Sequence, residues 1–239
     1  MWSNRFVIRS ILKTWFSPWR AYLAEFLGTF VFVFITAGLT LIDLYYEGIG
    51  ILGISIAAGF IYTVMMYATV HISGGHLNPV ITTAVWLAKK IKGHLAFFYI
   101  LAQLLASFAA AGMLIVIFST DALEFSLGAP VIEYAFSGQS AIIIEAILSS
   151  ILVFVFFGTM VDKQNSLQFG PLAVGMVYAV SAVLAANLSG GVINPVRAVG
   201  PAIFSANFDY LAIWTVGPLV GALFGVVYNF LFLIKEKKG

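Results

Sequence analysis

Long apolar segments alternate with short polar ones along the chain, and this pattern predicts its helices. A helix needs about 18 or more mostly apolar residues to cross a bilayer. Six segments meet that requirement, so the pattern predicts an all-α protein with six transmembrane helices. They cover approximately residues 21–42, 50–71, 94–118, 139–161, 170–187 and 209–234.

Two shorter apolar segments, at about 79–88 and about 195–204, each begin at an Asn-Pro pair. A helix of that size reaches roughly 15 Å, about half of the bilayer core, which predicts re-entrant half-helices. Each half of the chain then holds three spans and one half-helix. Because three is odd, the second half enters the membrane inverted relative to the first. We therefore expect inverted three-helix repeats, with both chain ends on one side.

Composition supports a membrane protein. The chain is 62% hydrophobic and only 9% charged, with a mean hydropathy of +1.03. Ordinary soluble domains are about half apolar and one quarter charged. The chain contains no cysteine, which excludes disulfides, zinc–thiolate sites and cysteine nucleophiles.

The charges are sorted between the two faces of this topology. Eleven of the twelve Lys and Arg residues fall on one face, and most acidic residues fall on the other. The positive-inside rule makes the basic face cytoplasmic. The sequence thus predicts an integral protein of the cell membrane with cytoplasmic N- and C-termini.

The N-terminal residues carry Arg5, Arg9 and Lys13 on one helical face among aromatic residues, which favours an interfacial amphipathic helix over a disordered basic tail. Five segments are therefore predicted. They are a cytoplasmic interfacial segment (1–20), a first repeat (21–118), an extracellular connecting loop (119–138), a second repeat (139–234) and a basic cytoplasmic tail (235–239).

A polar motif is repeated in the two halves. Ser73–Val80 and Ser189–Val196 are identical at six of eight positions and are 116 residues apart. Both copies place Gly, Asn and Pro inside apolar surroundings. Such a repeat in a membrane protein indicates a binding or permeation site at the interface between the halves.

The motif also predicts where each half-helix begins. Asn is a preferred N-cap and Pro a preferred first helical residue, so Asn78-Pro79 and Asn194-Pro195 are interpreted as helix starts. Inversion brings the two N-termini together near the midplane, and irregular backbone at that depth requires a polar cavity. The positive ends of both helices repel cations there, and their N–H groups and the Asn amides offer donors to water or a neutral hydroxyl.

These residues resemble the two signature loops of the aquaporin, or major intrinsic protein, family. The similarity lies in His71–Pro79 and Asn194–Arg197, and extends to Ala24–Thr29 in the first span and Gly217-Pro218 in the sixth. It covers essentially the whole chain. It implies a passive channel in a lipid bilayer, assembled as a homotetramer with one pore in each subunit. The chain departs from the family at Val80 and Val196, where Ala is usual.

The resemblance also assigns a selectivity filter. Counting from the two motif asparagines gives Ala58, Ala182 and Gly191, joined by the intramembrane Arg197. Such small side chains imply a wide opening, like that of family members that pass polyols, urea or metalloid acids. A two-residue shift would instead place Phe60 in the filter, and Trp214 or Phe136 could fill the opening.

Three other ionisable residues lie inside predicted spans or loops. Glu25 and Glu145 occupy the first span of each half, and the resemblance implies that they accept hydrogen bonds from the re-entrant loops. A proton relay is the alternative for these carboxylates. His76 is a candidate for the cytoplasmic pore wall. The histidines are too few and too isolated to predict a metal site.

The sequence therefore predicts a channel for water and small uncharged solutes that excludes ions and protons. A water-selective aquaporin is the first alternative, and an ion-coupled secondary transporter with discontinuous helices is a remote one. An ion channel is disfavoured by the two helix N-termini and Arg197. We expect no enzymatic activity, no cofactor and no nucleic-acid partner.

Overall fold

In the computed structural model, residues 14–130, 132, 137–165 and 168–233 are described. All regular structure in these ranges is helical. The helices of the six predicted spans begin and end close to the predicted limits, with the sixth span in two parts. They are α1 (Trp19–Tyr46), α2 (Gly50–Ser73), α4 (Gly93–Phe118), α5 (Gly138–Phe156), α6 (Gly170–Ala185), α8 (Leu211–Gly221) and α9 (Phe224–Leu231).

The two half-helices are α3 (Pro79–Leu87) and α7 (Val196–Phe204). Asn78 is the N-cap of α3, and its Oδ1 accepts a hydrogen bond from Val80 N (2.8 Å). The start of α7 differs, because Pro195 already has helical dihedral angles and Asn194 Oδ1 has no partner in the described part of the chain. The two copies of the motif therefore begin their helices in different ways.

Five apolar helices of the described ranges are long enough to cross a membrane, and α6 adds a shorter one of 16 residues. The fourth span ends in a π-helical turn, Phe157–Val161. The sixth was predicted as one segment but is divided into α8 and α9, although Leu211–Leu231 is still apolar and long enough to span. Pro218 lies inside α8 and removes one helical donor shortly before the break.

The helices interleave the two halves of the chain. α1 packs on α4 and α5 packs on α8, which are equivalent pairs within the two repeats. α2 packs on α6 across the repeat boundary. Each half-helix also contacts spans of the other half, α3 against α5 and α7 against α4. The predicted all-α fold, with six spans and two half-helices in inverted repeats, is confirmed.

The domain limits remain predictions. Residues 1–13 and 234–239 lie outside the described part, so the interfacial segment and the basic tail are largely not covered. The connecting segment contains two 3-10 turns, Thr120–Leu123 and Ser126–Gly128.

Two glycines allow α2 and α6 to approach closely. Gly59 and Gly175 are separated by the same 116 residues as the two motifs. A Cβ atom on Gly175 would lie 1.9 Å from Thr63 Oγ1 and 2.4 Å from Gly59 O. Small residues at such contacts let helix backbones pack tightly in membranes.

We expect the Gly175→Ala variant to be less stable than the wild type by about 1–3 kcal/mol, because α6 must shift away from the α2 backbone. Thermal denaturation in detergent measures this change. Gly138→Ala is the matched control, since nothing lies within 4 Å of its added Cβ. Equal melting temperatures for the two variants would show that the close approach is not required.

Candidate functional site

The first re-entrant loop is held by the buried carboxylate of Glu25 on α1. Its Oε1 accepts hydrogen bonds from Ser73 Oγ (2.6 Å) and His76 N (3.0 Å). Its Oε2 accepts from Leu77 N (2.6 Å) and from Gln103 Nε2 on α4 (2.7 Å). Backbone donors that would otherwise be unpaired inside a membrane thus find an acceptor.

Glu145 on α5 makes the same contacts with the second loop. It accepts from Ser189 Oγ (2.8 Å), Val192 N (2.9 Å) and Ile193 N (2.8 Å). These three donors are the repeat counterparts of those that bind Glu25. Charge-assisted hydrogen bonds of this kind are about twice as strong as neutral ones, so each carboxylate fixes the shape of one loop.

The two loops are tied to each other by their asparagines. Asn78 Nδ2 donates to Ile193 O (2.9 Å), and Asn194 Nδ2 donates to Leu77 O (3.1 Å). Leu77 and Ile193 adopt positive φ angles of 50° and 40°. Left-handed backbone is unusual at such residues and occurs where surrounding contacts enforce it. Here the two residues with positive φ are those whose carbonyl groups accept a hydrogen bond from the asparagine of the opposite loop.

The valines that follow the prolines are fully buried within the apolar core. Neither Val80 nor Val196 lines the cavity that has Arg197 in its wall. Pro79 and Pro195 are buried as well. The departure from the usual family residue is therefore accommodated by packing around the half-helices.

A cavity of about 210 Å³ lies on the side of the loops that carries Arg197, and we call it the vestibule. All four predicted filter residues line it. They are Ala58 on α2, Ala182 on α6, Gly191 in the second loop and Arg197 on α7.

Two of the three bulky residues considered for this opening, Phe60 and Trp214, do not fill it. Phe60 is 64% exposed on the outer surface of the helix bundle. Trp214 is buried behind the loop, where its Nε1 donates to Ser189 O (2.8 Å). Phe136 lies outside the described residues.

Gly191 cannot easily carry a side chain. Its φ is +57°, and a Cβ atom would lie 2.5 Å from Ser181 O and 2.9 Å from Ala182 Cα. The second loop therefore runs directly against α6. The lack of a side chain at this predicted filter position is therefore required by backbone packing.

Arg197 is held by α1. Its Nη2 donates to Thr36 O (3.3 Å) and to Thr40 Oγ1 (3.1 Å). Its Nη1 is buried and has no partner among the described residues, although the side chain lines the vestibule. The guanidinium is only 8% exposed, and α1 supplies both of the acceptors found for it. The two threonines were not anticipated from the sequence.

The inner end of the vestibule is formed by aromatic side chains, Phe32 and Tyr178. Asn78 and Asn194 are fully buried beneath it and do not line it. Asn78 Nδ2 donates to the Tyr178 hydroxyl (2.6 Å) as well as to the opposite loop. The asparagine amides were predicted to face a solute, but in this conformation Asn78 donates both of its hydrogens to protein groups.

His76 is also occupied by contacts within the protein. Its Nδ1 lies 3.1 Å from Thr82 Oγ1 on α3, and its ring meets Tyr99 and Phe156 edge-on. The ring is buried, and the role predicted for it in the pore wall stays a prediction.

Two half-helices that meet in the middle of a helical bundle, below a vestibule lined by small residues and one arginine, define a membrane channel. The chain belongs to the major intrinsic protein family, whose sequence model matches residues 12–229. Members of this family are channels and not enzymes.

Among its relatives is the "Probable aquaporin TIP4-1" of Oryza sativa subsp. japonica, 34% identical over 91% of this chain and 88% of that protein. The "Glycerol uptake facilitator protein-like 6" of Lactiplantibacillus plantarum is 33% identical over 85% of this chain and 94% of its own length. The aquaglyceroporin structure from Plasmodium falciparum matches with a TM-score of 0.77 over 90% of this chain and 96% of that one. That likeness, at 22% identity, concerns the fold.

Proposed function

We propose that this channel conducts water and small uncharged solutes of the polyol, urea or metalloid-acid type, and excludes ions and protons. The vestibule carries this proposal. Ala58, Ala182 and Gly191 leave its wall open, and Arg197 places a guanidinium, a hydrogen-bond donor, in that wall. A solute with hydroxyl or amide groups can accept from that donor, whereas a cation is repelled by its charge.

The names of the relatives leave two alternatives, a channel for water alone and a channel that also passes polyols. One relative is named an aquaporin and another a glycerol uptake facilitator. A water-selective channel would be expected to place bulky side chains around the arginine. The side chains of Ala58 and Ala182 are the smallest available with a Cβ, which favours the wider filter.

An ion-coupled transporter is disfavoured by the contacts of the two buried glutamates. Such a transporter needs ligands for a coupling ion or a titratable relay. Glu25 and Glu145 instead accept hydrogen bonds from the loops, each with both carboxylate oxygens. We infer that their role is to support the loops.

The charges of the described residues support an orientation with the vestibule extracellular. Positive residues collect at the end opposite the vestibule, as the positive-inside rule requires of a cytoplasmic face. We therefore propose cytoplasmic termini and a cell-membrane location, and a homotetramer by analogy with the family. The basic residues in question are Arg20, Lys89, Lys90, Lys92 and Lys163.

Stopped-flow light scattering on reconstituted vesicles tests the proposed function. Gradients of water, glycerol, urea and boric acid should each relax faster than in protein-free vesicles, without saturation and without an ion gradient. Rapid water flux with every solute excluded would favour the water-selective alternative. Solute flux that requires an ion gradient would favour a transporter.

The Ala182→Phe variant is expected to lose solute flux while it keeps a larger share of its water flux. A ring at this position projects into the vestibule beside Arg197 and narrows it. Glycerol permeability should fall by roughly tenfold or more, because a steric mismatch in a pocket costs about 1–3 kcal/mol. Val183→Phe is the control, since that neighbour is 46% exposed on the outside of α6. Unchanged glycerol flux in Ala182→Phe would place the filter elsewhere.

A further inference from the structure

Two tyrosines occupy the centre of the molecule at repeat-equivalent positions. Tyr62 on α2 and Tyr178 on α6 are separated by 116 residues, the same offset as the two asparagines. Their rings stack with centroids 3.9 Å apart and an interplanar angle of 26°. Phe32 meets both rings edge-on, at 5.2 and 5.4 Å. The three side chains form one aromatic cluster, and all are buried.

Hydrogen bonds anchor this cluster to the first re-entrant loop. The Tyr178 hydroxyl accepts from Asn78 Nδ2 (2.6 Å) and also interacts with the Asn194 side chain. The Tyr62 hydroxyl donates to His76 O (2.5 Å). The Tyr178 hydroxyl therefore lies where the hydroxyl of a water or polyol would bind the asparagine pair.

The cluster also separates the vestibule from the asparagines. Tyr178 and Phe32 form part of the vestibule wall, whereas Asn78 and Asn194 are fully buried and line no part of it. A solute that has passed Arg197 meets the Tyr178 ring before it reaches either amide. In this conformation no solute has access to the asparagine pair from the vestibule.

We propose that Tyr178, stacked on Tyr62, forms a second constriction that limits the rate of permeation. To pass it, a solute must displace the Tyr178 hydroxyl from Asn78. The proposal rests on the proposed function, because it assumes that solutes pass between the asparagines. It assigns the rate of passage to the tyrosines and leaves the exclusion of oversized solutes to the filter around Arg197. Only solutes that can replace the tyrosine hydroxyl at Asn78 offset the hydrogen bond that opening breaks.

The wide filter gives the Tyr178 ring room to move. Ala182 lies one helical turn beyond Tyr178 on the same face of α6, and Ala58 lies one turn before Tyr62 on α2. Both alanines border the open vestibule. A rotation of the Tyr178 side chain toward the vestibule therefore meets methyl groups instead of rings.

The Tyr178→Val variant tests the constriction by removing both the ring and the hydroxyl. Water and glycerol permeability of reconstituted vesicles should each rise by roughly tenfold, the combined effect of losing one hydrogen bond and one stacked ring pair from the closed state. Tyr178→Phe keeps the ring and removes the hydroxyl, so its permeabilities should lie between those of Tyr178→Val and the wild type.

Tyr228→Phe is the matched control, because this buried tyrosine on α9 packs against Phe154 and Phe157 and makes no contact with the loop asparagines. It should retain wild-type rates. Circular dichroism and elution volume establish that every variant is folded before rates are compared.

The outcomes separate the two proposals. Equal conduction by the wild type and Tyr178→Val would overturn the constriction and leave the channel function intact. Faster water flux in Tyr178→Val with glycerol, urea and boric acid all excluded would support the constriction and overturn the wide filter. If neither protein conducts above protein-free vesicles, both proposals fail.

Discussion

The Glu25→Ala variant is expected to give little folded protein. The change leaves four buried donors without their acceptor, two on the loop backbone and two on side chains. Each buried donor left unpaired costs about 1–3 kcal/mol. The total loss is therefore on the order of 5 kcal/mol or more, comparable to the whole stability of many proteins.

The yield of monodisperse protein in detergent and its thermal denaturation measure this loss. Glu25→Gln should be intermediate, since one side-chain oxygen remains to accept from the loop. Glu124→Ala, at an exposed position, is the control for removal of an acidic residue. Wild-type stability in Glu25→Ala would mean that the first loop keeps its shape without the carboxylate.

The Arg197→Ala variant is expected to admit protons and larger solutes. It removes the positive charge in the wall of the vestibule and opens the space that the guanidinium occupies. A unit charge about 4 Å away contributes about 4 kcal/mol at an effective dielectric of 20. The positive N-terminal ends of α3 and α7 remain and still repel protons. We therefore expect proton flux to rise by about tenfold, which is less than the loss of about 4 kcal/mol would give.

A pH-sensitive dye trapped in vesicles reports the proton flux, and light scattering reports the flux of polyols larger than glycerol. Thr40→Val is a useful companion, because it removes one acceptor of Arg197 Nη2 and leaves the charge in place. It should change solute flux more than proton flux. If Arg197→Ala keeps wild-type selectivity in both assays, the arginine does not belong to the filter.

The repeated motif made much of the site predictable. A half-helix begins within a residue of each Asn-Pro pair because capping and the fixed φ of proline are local effects. The predicted filter positions were counted from the same asparagines, and those four residues line one cavity. These features depend on short-range chemistry and on a constant offset between the two halves.

The aromatic cluster could not be found from hydropathy. Phe60 and Tyr62 are two residues apart in one apolar segment, yet the first is 64% exposed on the outer surface and the second is fully buried. Apolar side chains occur on both the lipid-facing and the inward-facing sides of a membrane helix, so periodicity gives little contrast between them. The informative signal was the offset of 116 residues, which Tyr62 and Tyr178 share with the motif.

The division of the sixth span was missed for a related reason. The segment from Leu211 to Leu231 is apolar throughout, and hydropathy does not register a local interruption of helical hydrogen bonding. The break follows Gly221, where a Cβ atom would lie 2.5 Å from Ser149 Cβ. Such a constraint comes from a neighbouring helix that is distant in the sequence.

The crossed asparagine bonds bear on how the chain is assembled during synthesis. Asn78 leaves the ribosome 115 residues before Ile193, the residue whose carbonyl group accepts its amide. Before then the loop can use partners that precede it in the chain, the carboxylate of Glu25 and the hydroxyl of Tyr62. The early acidic residue thus lets a half-made protein keep a polar loop in the bilayer, and the two loops acquire their final geometry only when the last third of the chain has been inserted.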